Sequence, residues 1–254
     1  MSEAKKDVIR RYGFGSLLLF DKCFVPKKFT KWLASLIESK SGDLIVNGKV
    51  ISLTAKSMNL VLGIPVSGTP FPSNYSAGRA IVLSKIDKTS LPQVSFFADK
   101  LTADDLTDDL VLIYFLVVAL HCFLCPNSNL VPSPRYLGIF EDLEHMSSFD
   151  WSGFVLRWLL DGVKSFNKVK KVGQKSSGTL GGCMFYLAVS YLFSLCFVSL
   201  IFDFFFLSLC LDCFVYCLLT YLLYFGRLFI WIMLTSLIVM YLNPFLELRF
   251  GSRI

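Results

Sequence analysis

From Phe193 to Ile254 the sequence has no lysine, histidine, glutamine or alanine, while Phe, Leu, Cys, Tyr, Ile, Val and Ser dominate. Spanning helices use small residues freely where they pack, so a tail without alanine is unusual even for a membrane segment. Its common residues are those of U-rich codons, and intron or out-of-frame translation is one origin that fits. Charge is equally scarce: residues 183–254 hold three Lys+Arg and three Asp+Glu, against 22 and 16 in residues 1–182. The whole net charge of +6 therefore belongs to the front. The front also lacks a disulfide framework. Five of the eight cysteines (Cys183, Cys196, Cys210, Cys213 and Cys217) sit in the apolar part, which leaves Cys23, Cys122 and Cys125 and points to a reducing compartment. An export signal is not expected either, because the apolar run from Ser16 to Phe20 is shorter than the roughly 7–15 residues of a signal core.

What is present in the front reads as a mainly α module with one β-hairpin. After Pro26, Phe29, Trp32, Leu33, Leu36 and Ile37 recur at helical spacing, with Lys27, Lys28 and Lys31 on the remaining faces, which predicts an amphipathic helix. Two apolar runs, within about 44–53, flank Asn47-Gly48, a pair that tolerates the positive φ of a tight hairpin turn. Thr54 is placed to cap a helix that carries Met58, Val61 and Leu62 and stops at Gly63 and Pro65. Residues 65–92, rich in Pro, Gly, Ser and Asn, read as an irregular surface connection. Residues 106–124 read as the central core helix, apolar on most sides. Trp151, Phe154, Val155, Trp158 and Leu159 predict a further amphipathic helix capped by Asp150. A basic Gly/Ser linker is expected over 164–182.

Candidate chemistry is sparse. His121-Cys122-Phe123-Leu124-Cys125 contains the spacing of a redox pair or half a zinc site, but its only partner pair, Cys210 and Cys213, lies in the apolar tail. Buried thiols at a helix end explain it better. Asp104, Asp105, Asp108 and Asp109 form two i,i+4 carboxylate pairs, which suit a divalent cation or, more simply, the positive end of a helix dipole. His145, beside Glu141, Asp142 and Glu144, reads as an exposed loop residue. The Asn74-Tyr75-Ser76 triplet fits N-glycosylation only in an exported chain. Gly13-Phe14-Gly15 lacks the third glycine of a dinucleotide loop, and the stretch from Gly173 to Gly178 lacks the ending of a phosphate loop. Arg10, Arg11, Lys27, Lys28 and Lys31, with Tyr12, Phe29 and Trp32 interleaved, suit phosphate contacts with base stacking. Helical spacing, however, sends Phe29 and Trp32 toward a core. Lys164, Lys168, Lys170, Lys171 and Lys175 read as nucleic-acid contacts, as lipid-headgroup contacts, or as a solvated linker. No catalytic residue, metal, cofactor or small-molecule substrate is expected from these motifs.

The phrases RRYGFGSLLLFDKCFVPKKFTKWLASLIE, SGDLIVNGKVISLTAKSMNLVLGIPVSGTPFPSNYSAG, ALHCFLCPNSNLVPSPRYLGIFED and DWSGFVLRWLLDGVKSFNK resemble the plant mobile domain proteins. These are transposon-related proteins of grasses, sometimes described as aminotransferase-like and sometimes fused to a ubiquitin-like cysteine protease. The resemblance runs from about Arg10 to Leu192 and then stops. It implies a mobile-element-derived interaction module that is nuclear in its intact form, with a nucleic-acid or protein partner. It supplies no catalytic residue here, since the protease of longer relatives lies beyond the module and no lysine is singled out for a pyridoxal Schiff base.

The division expected from polarity is therefore a module over 1–182 and an apolar tail over 183–254. Residues 184–202 and 228–246 are each 19 residues without a charge, against about 20 needed to cross the hydrocarbon core. Two spans are expected, at about 184–202 and 224–246, with 210–226 as a turn or as the start of the second helix. Asp212 within 204–226 would cost about 2.5–3.5 kcal/mol at a bilayer centre, which disfavours a third. The lysines before the first span and Arg249 and Arg253 after the last place both ends in the cytosol. Transcript sequencing separates the two origins of the tail: a spliced message that joins the Leu192 codons to a polar continuation marks it as non-coding, and a continuous message with matching peptides rules that out.

Overall fold

The structure is a computed structural model that describes residues 1–194, except Asp21, Lys22, Phe24, Ser39, Asp104 and residues 172–179, and except the side chains of Lys170 and Lys171. Residues Met1–Ser194 form one folding unit. Lys175, the turn at 210–226, the span at 228–246, and Arg249 and Arg253 lie outside the described residues.

The described architecture is mainly helical with one small hairpin. Helix α1 is Glu3–Arg11, followed by a 3-10 turn at Gly15–Leu19, and α2 is Lys27–Ser35. The predicted amphipathic helix is therefore present but stops a turn early, because Ile37 leaves it to bridge Leu44. Strands β1 (Leu44–Val46) and β2 (Lys49–Ile51) pair antiparallel, Val46 opposite Lys49. Asn47 and Gly48 take φ of 49° and 77°, as a tight turn between twisted strands requires. In α3 (Ala55–Leu62), Thr54 Oγ1 accepts from the Ser57 amide at 3.1 Å and Ser57 Oγ accepts from the Thr54 amide. Gly63 closes that helix in the left-handed region, at φ 65°.

The segment read as an irregular connection holds α4 (Ser76–Lys85). Ser76 and Gly78 are poor helix formers, which hides it from a propensity argument. Tertiary packing decides instead. A Cβ on Gly78 would stand 2.1 Å from the Leu137 carbonyl oxygen, so the bare backbone lets α4 lie directly on the 3-10 helix Pro134–Glu141. The rest of the segment is irregular but fixed. Thr69 bridges Phe149, the Ser152 amide donates to the Pro65 carbonyl at 2.9 Å, and Phe71 stacks on Phe154 at 4.0 Å.

Helix α5 is Val94–Leu101, and α6, Asp108–Ala119, is the central helix. Leu112, Ile113, Leu116 and Val117 of α6 are fully buried. α1 and α5 cover it, and α6 runs on into a π turn at Leu120–Leu124. The ammonium of Lys5, 7% exposed, donates to the Leu101 and Ala103 carbonyls and so closes the C-terminal end of α5. Helix α7 (Trp151–Lys171) starts at Asp150, whose Oδ1 accepts from the Gly153 amide at 2.9 Å. Fully buried Trp151 donates its indole N–H to the Met146 carbonyl at 2.7 Å.

Two expected boundaries differ from the structure. The linker over 164–182 is helical through Lys171, because the apolar stripe continues from Leu159 to buried Val163 and then to Asn167, whose amide donates to the Ala34 carbonyl of α2 at 3.1 Å. The division at 182/183 falls inside the folded unit. Residues 184–194 are helical, and Cys183, Phe185, Tyr186, Leu187 and Ala188 are buried in the core. Phe185 meets Phe20 and Phe123 at 5.3 and 5.9 Å, and the Tyr186 hydroxyl reaches Ser57 Oγ at 2.7 Å. The apolarity of 184–194, read as half of a span, is that of a core helix. No helix among the described residues is long and apolar enough to cross a membrane.

Gly78→Ala tests the α4 contact. In an exposed helix the change would stabilise by about 1 kcal/mol; here the steric cost of about 1–3 kcal/mol wins. Chemical denaturation should show a loss of stability.

Candidate anion-binding face

The basic residues singled out in the sequence separate into two groups. Arg10 pairs with Asp7 at 2.5 Å and Glu3 at 3.4 Å, and Arg11 pairs with Asp108 at 2.9 Å across 97 positions of chain. Hydrogen bonding to Asp7 raises the Arg10 pKa further, and the bond donated by Lys6 holds Glu3 below its ordinary value. These pairs are exposed and individually worth about 0–1 kcal/mol, but they consume the positive charge of α1. Lys27 and Lys28 of α2, with Lys164 and Lys168 of α7, are exposed, and Lys31 is half-buried. None of these five has a carboxylate within ion-pair distance among the described residues.

Two contacts join α7 to α2 and to the turn that follows it. Leu160 lies against Gly42, beyond the C-terminal end of α2, and Asn167 bonds Ala34 in its last turn. Advancing along α7 thus moves back along α2, so the helices run antiparallel. Lys27 and Lys31 precede Ala34 by seven and three residues, while Lys164 and Lys168 flank Asn167 by three and one. Helical periodicity puts Lys27 and Lys31 on the Ala34 side of α2 and Lys164 on the Asn167 side of α7, whereas Lys28 and Lys168 fall on adjoining faces. The sequence does carry a signal for Asn167: it is a polar residue on the apolar stripe, one turn after Val163, where an orphan helix-end carbonyl waits for a donor.

The aromatic residues interleaved with these lysines are committed elsewhere. Phe29 is 3% exposed, stacks on Trp32 at 5.8 Å and meets Tyr191 edge-on at 5.8 Å, and Trp32 meets Tyr191 at 5.3 Å. Base stacking would have to break this cluster. Beyond Tyr191, Phe193 is 61% exposed.

The remaining candidates are structural or closed to solvent, except Cys122, which is exposed and so departs from the expected buried pair. Asp108 and Asp109, the latter held by Lys85 at 2.6 Å, sit in the first turn of α6 capped by Thr107; Asp104 lies outside the described residues. His145 is exposed and meets Asp142 at 2.9 Å; desolvation raises the Asp142 pKa, but the bonds from His145 outweigh it and leave the carboxyl below its ordinary value. Cys125 and Cys183 are fully buried. Burial pushes the Cys183 thiol up to about 12 and raises Cys125 well above the ordinary value, aided by neighbouring Cys183. Thiols so held are poor nucleophiles and poor ligands, and no group of three or more metal-ligating side chains occurs among the described residues.

Residues 1–188 match the family profile described as Domain of unknown function (DUF8566). The chain belongs to this family. No curated protein and no solved structure shows detectable similarity to it. The DUF8566 match ends at Ala188, the last fully core-packed position of the final described helix, so it coincides with the folded unit rather than with the polarity boundary.

His121, in the π turn of the DUF8566 domain, is 7% exposed and its Nδ1 has no partner among the described residues. Burial lowers its pKa below 6.5, because the imidazolium would lose its water. The unfolded chain then binds the proton more readily, so the stabilising contribution is complete above pH 6.5 and is lost as pH falls from there through the lowered folded value. The melting temperature should drop with acidification below 6.5, and His121→Leu should flatten that dependence.

Proposed function

We propose that this chain is a non-catalytic interaction module of plant mobile domain type, held at a membrane by its apolar C-terminal part. The extents of the sequence resemblance, about Arg10 to Leu192, and of the DUF8566 match, 1–188, end within a few residues of each other, which supports reading them as one module. Within that module Cys125, Cys183 and His121 are buried in the core, and Asp108, Asp109 and Asp142 are committed to a helix N-terminus or ion pairs, as in a scaffold.

One observation carries the membrane reading in its revised form. The core claims 184–194, so insertion falls to the residues after Ser194. There, 195–202 is too short to span and 228–246 is the one 19-residue stretch without a charge. The tail therefore leaves a finished domain at its surface, beside exposed Phe193 and α2, and does not begin inside a span at residue 184.

Carbonate extraction of membranes that carry the full chain tests this: the protein should stay in the pellet. Leu237→Arg with Ile238→Arg, at the centre of 228–246, adds about 5–7 kcal/mol to insertion and should release it. Release of the unmodified chain would overturn the reading.

A further inference from the structure

We propose that the open edge of β2 pairs with the same edge of a second copy of this chain, across a two-fold axis at Val50. Val46 and Lys49 flank the two-residue turn and form the first hydrogen-bonded pair of the ladder, and Leu44 opposite Ile51 forms the next. Ile45 and Val50 are the intervening pair, so their backbone groups point away from each other. On the β1 side the outward Ile45 amide is used: it donates to the Leu36 carbonyl at 3.0 Å. On the β2 side no strand follows among the described residues, and the outward amide and carbonyl of Val50 meet no backbone partner there.

The side chains at this edge are apolar and exposed together. Ile45 and Val50 are cross-strand partners on the face turned away from buried Leu44 and Val46, and they are 38% and 62% exposed. A strand edge with bare backbone groups beside an apolar pair is a template for another strand.

The edge is complementary to itself. Antiparallel pairing centred on Val50 lets the amide of each Val50 donate to the carbonyl of the other, closing one hydrogen-bonded pair. It also lines up Ile45, Val50, Val50 and Ile45 across one face of a four-stranded sheet, so that the exposed pair of each copy covers the other. Charge is compatible with this register. Lys49 is the single charged residue from Leu44 to Leu53, and the two-fold sets it beside Ile51 of the second copy, not beside its own counterpart, so no like charges stand directly opposite. A contact of this kind closes at two copies. Three residues of edge are fewer than a permanent interface needs, so the pair forms and separates reversibly. Self-pairing does not depend on membrane attachment.

The test uses the full chain in detergent micelles, because the sequence after Ser194 is strongly apolar. In this register the two Val50 Cα atoms stand about 5.5 Å apart, inside the range of about 4.4–6.8 Å that a disulfide spans, whereas the two Lys49 Cα atoms are more than about 8 Å apart. Val50→Cys should therefore form an intermolecular disulfide on oxidation with diamide, above the background of the unsubstituted chain, and Lys49→Cys should not. Co-purification of two differently tagged copies reads the opposition of residue 50 to itself. Two copies carrying Val50→Lys place like charges directly opposite and should be retained about fivefold less than the unsubstituted pair. Val50→Lys mixed with Val50→Glu should recover retention. Association through any other part of the chain does not respond to residue 50. Equal crosslinking at both positions, equal retention of all pairings, or a mixed pair no stronger than the like-charged one overturns the proposal. A chain with neither crosslink nor retention is a monomer, or uses this edge for a foreign strand, and overturns it too. The cysteine variants decide the matter alone if the charged ones lose the hairpin.

Discussion

A helix that is apolar on every side has to be covered on every side, and α6 imposes that requirement on the whole unit. Its residues from Val111 to Val117 leave no polar stripe for water. α1 and α5 lie along it, and residues 183–188 close over the π turn that continues it through the Phe20, Phe123 and Phe185 cluster. Polar chemistry is tolerated only at its ends. Thr107, Asp108 and Asp109 meet the N-terminal amides, while at the other end Cys125 and His121 are drawn inside and lose the solvation that reactivity would need. A core organised in this way gives up Cys125, Cys183 and His121 as chemical tools and leaves function to the surface.

On that surface the two kinds of cation have separate roles. Arg11 ties α1 to the start of α6, Lys85 ties α4 to the same turn, and Lys5 closes the end of α5. These contacts join elements far apart in sequence, so their loss would be felt as looser packing. Among the described residues Lys27, Lys28, Lys31, Lys164 and Lys168 close no ion pair, and Asn167 bonds α7 to the Ala34 carbonyl of α2.

How much of this is legible in the sequence depends on the range of each signal. The hairpin, the Thr54 cap, the Asp150 cap and the apolar stripes of α2, α6 and α7 are written in residues within a turn or two of each other, and the structure holds all of them. Helix α4 is hidden because Gly78 matters for what approaches it, the Leu137 carbonyl some sixty positions away. Arg11 looks available because its partner Asp108 is remote in sequence, whereas the partners of Arg10, Asp7 and Glu3, lie within two turns of it. Residues 184–194 look like membrane because hydropathy measures appetite for an apolar setting and cannot say whether protein or lipid supplies it. Of the basic residues proposed as a site, folding leaves Lys27, Lys28, Lys31, Lys164 and Lys168 without an ion pair among the described residues and pairs Arg10 and Arg11 with carboxylates.

The hydrogen bond between Tyr186 and Ser57 also bears on the order of synthesis. Ser57 belongs to the cap of an early helix, and Tyr186 is among the last core residues to be made. The cap is local and can form as soon as residues 54–57 leave the ribosome, but the wall it supports stays open until the chain beyond residue 190 has emerged. Such long-range closure is slow compared with helix formation, and domains otherwise tend to fold from the N-terminal side as they are produced. The unfinished module would therefore leave the Thr54 cap without its Tyr186 partner through almost all of its translation, and the segment that emerges after that partner is itself apolar.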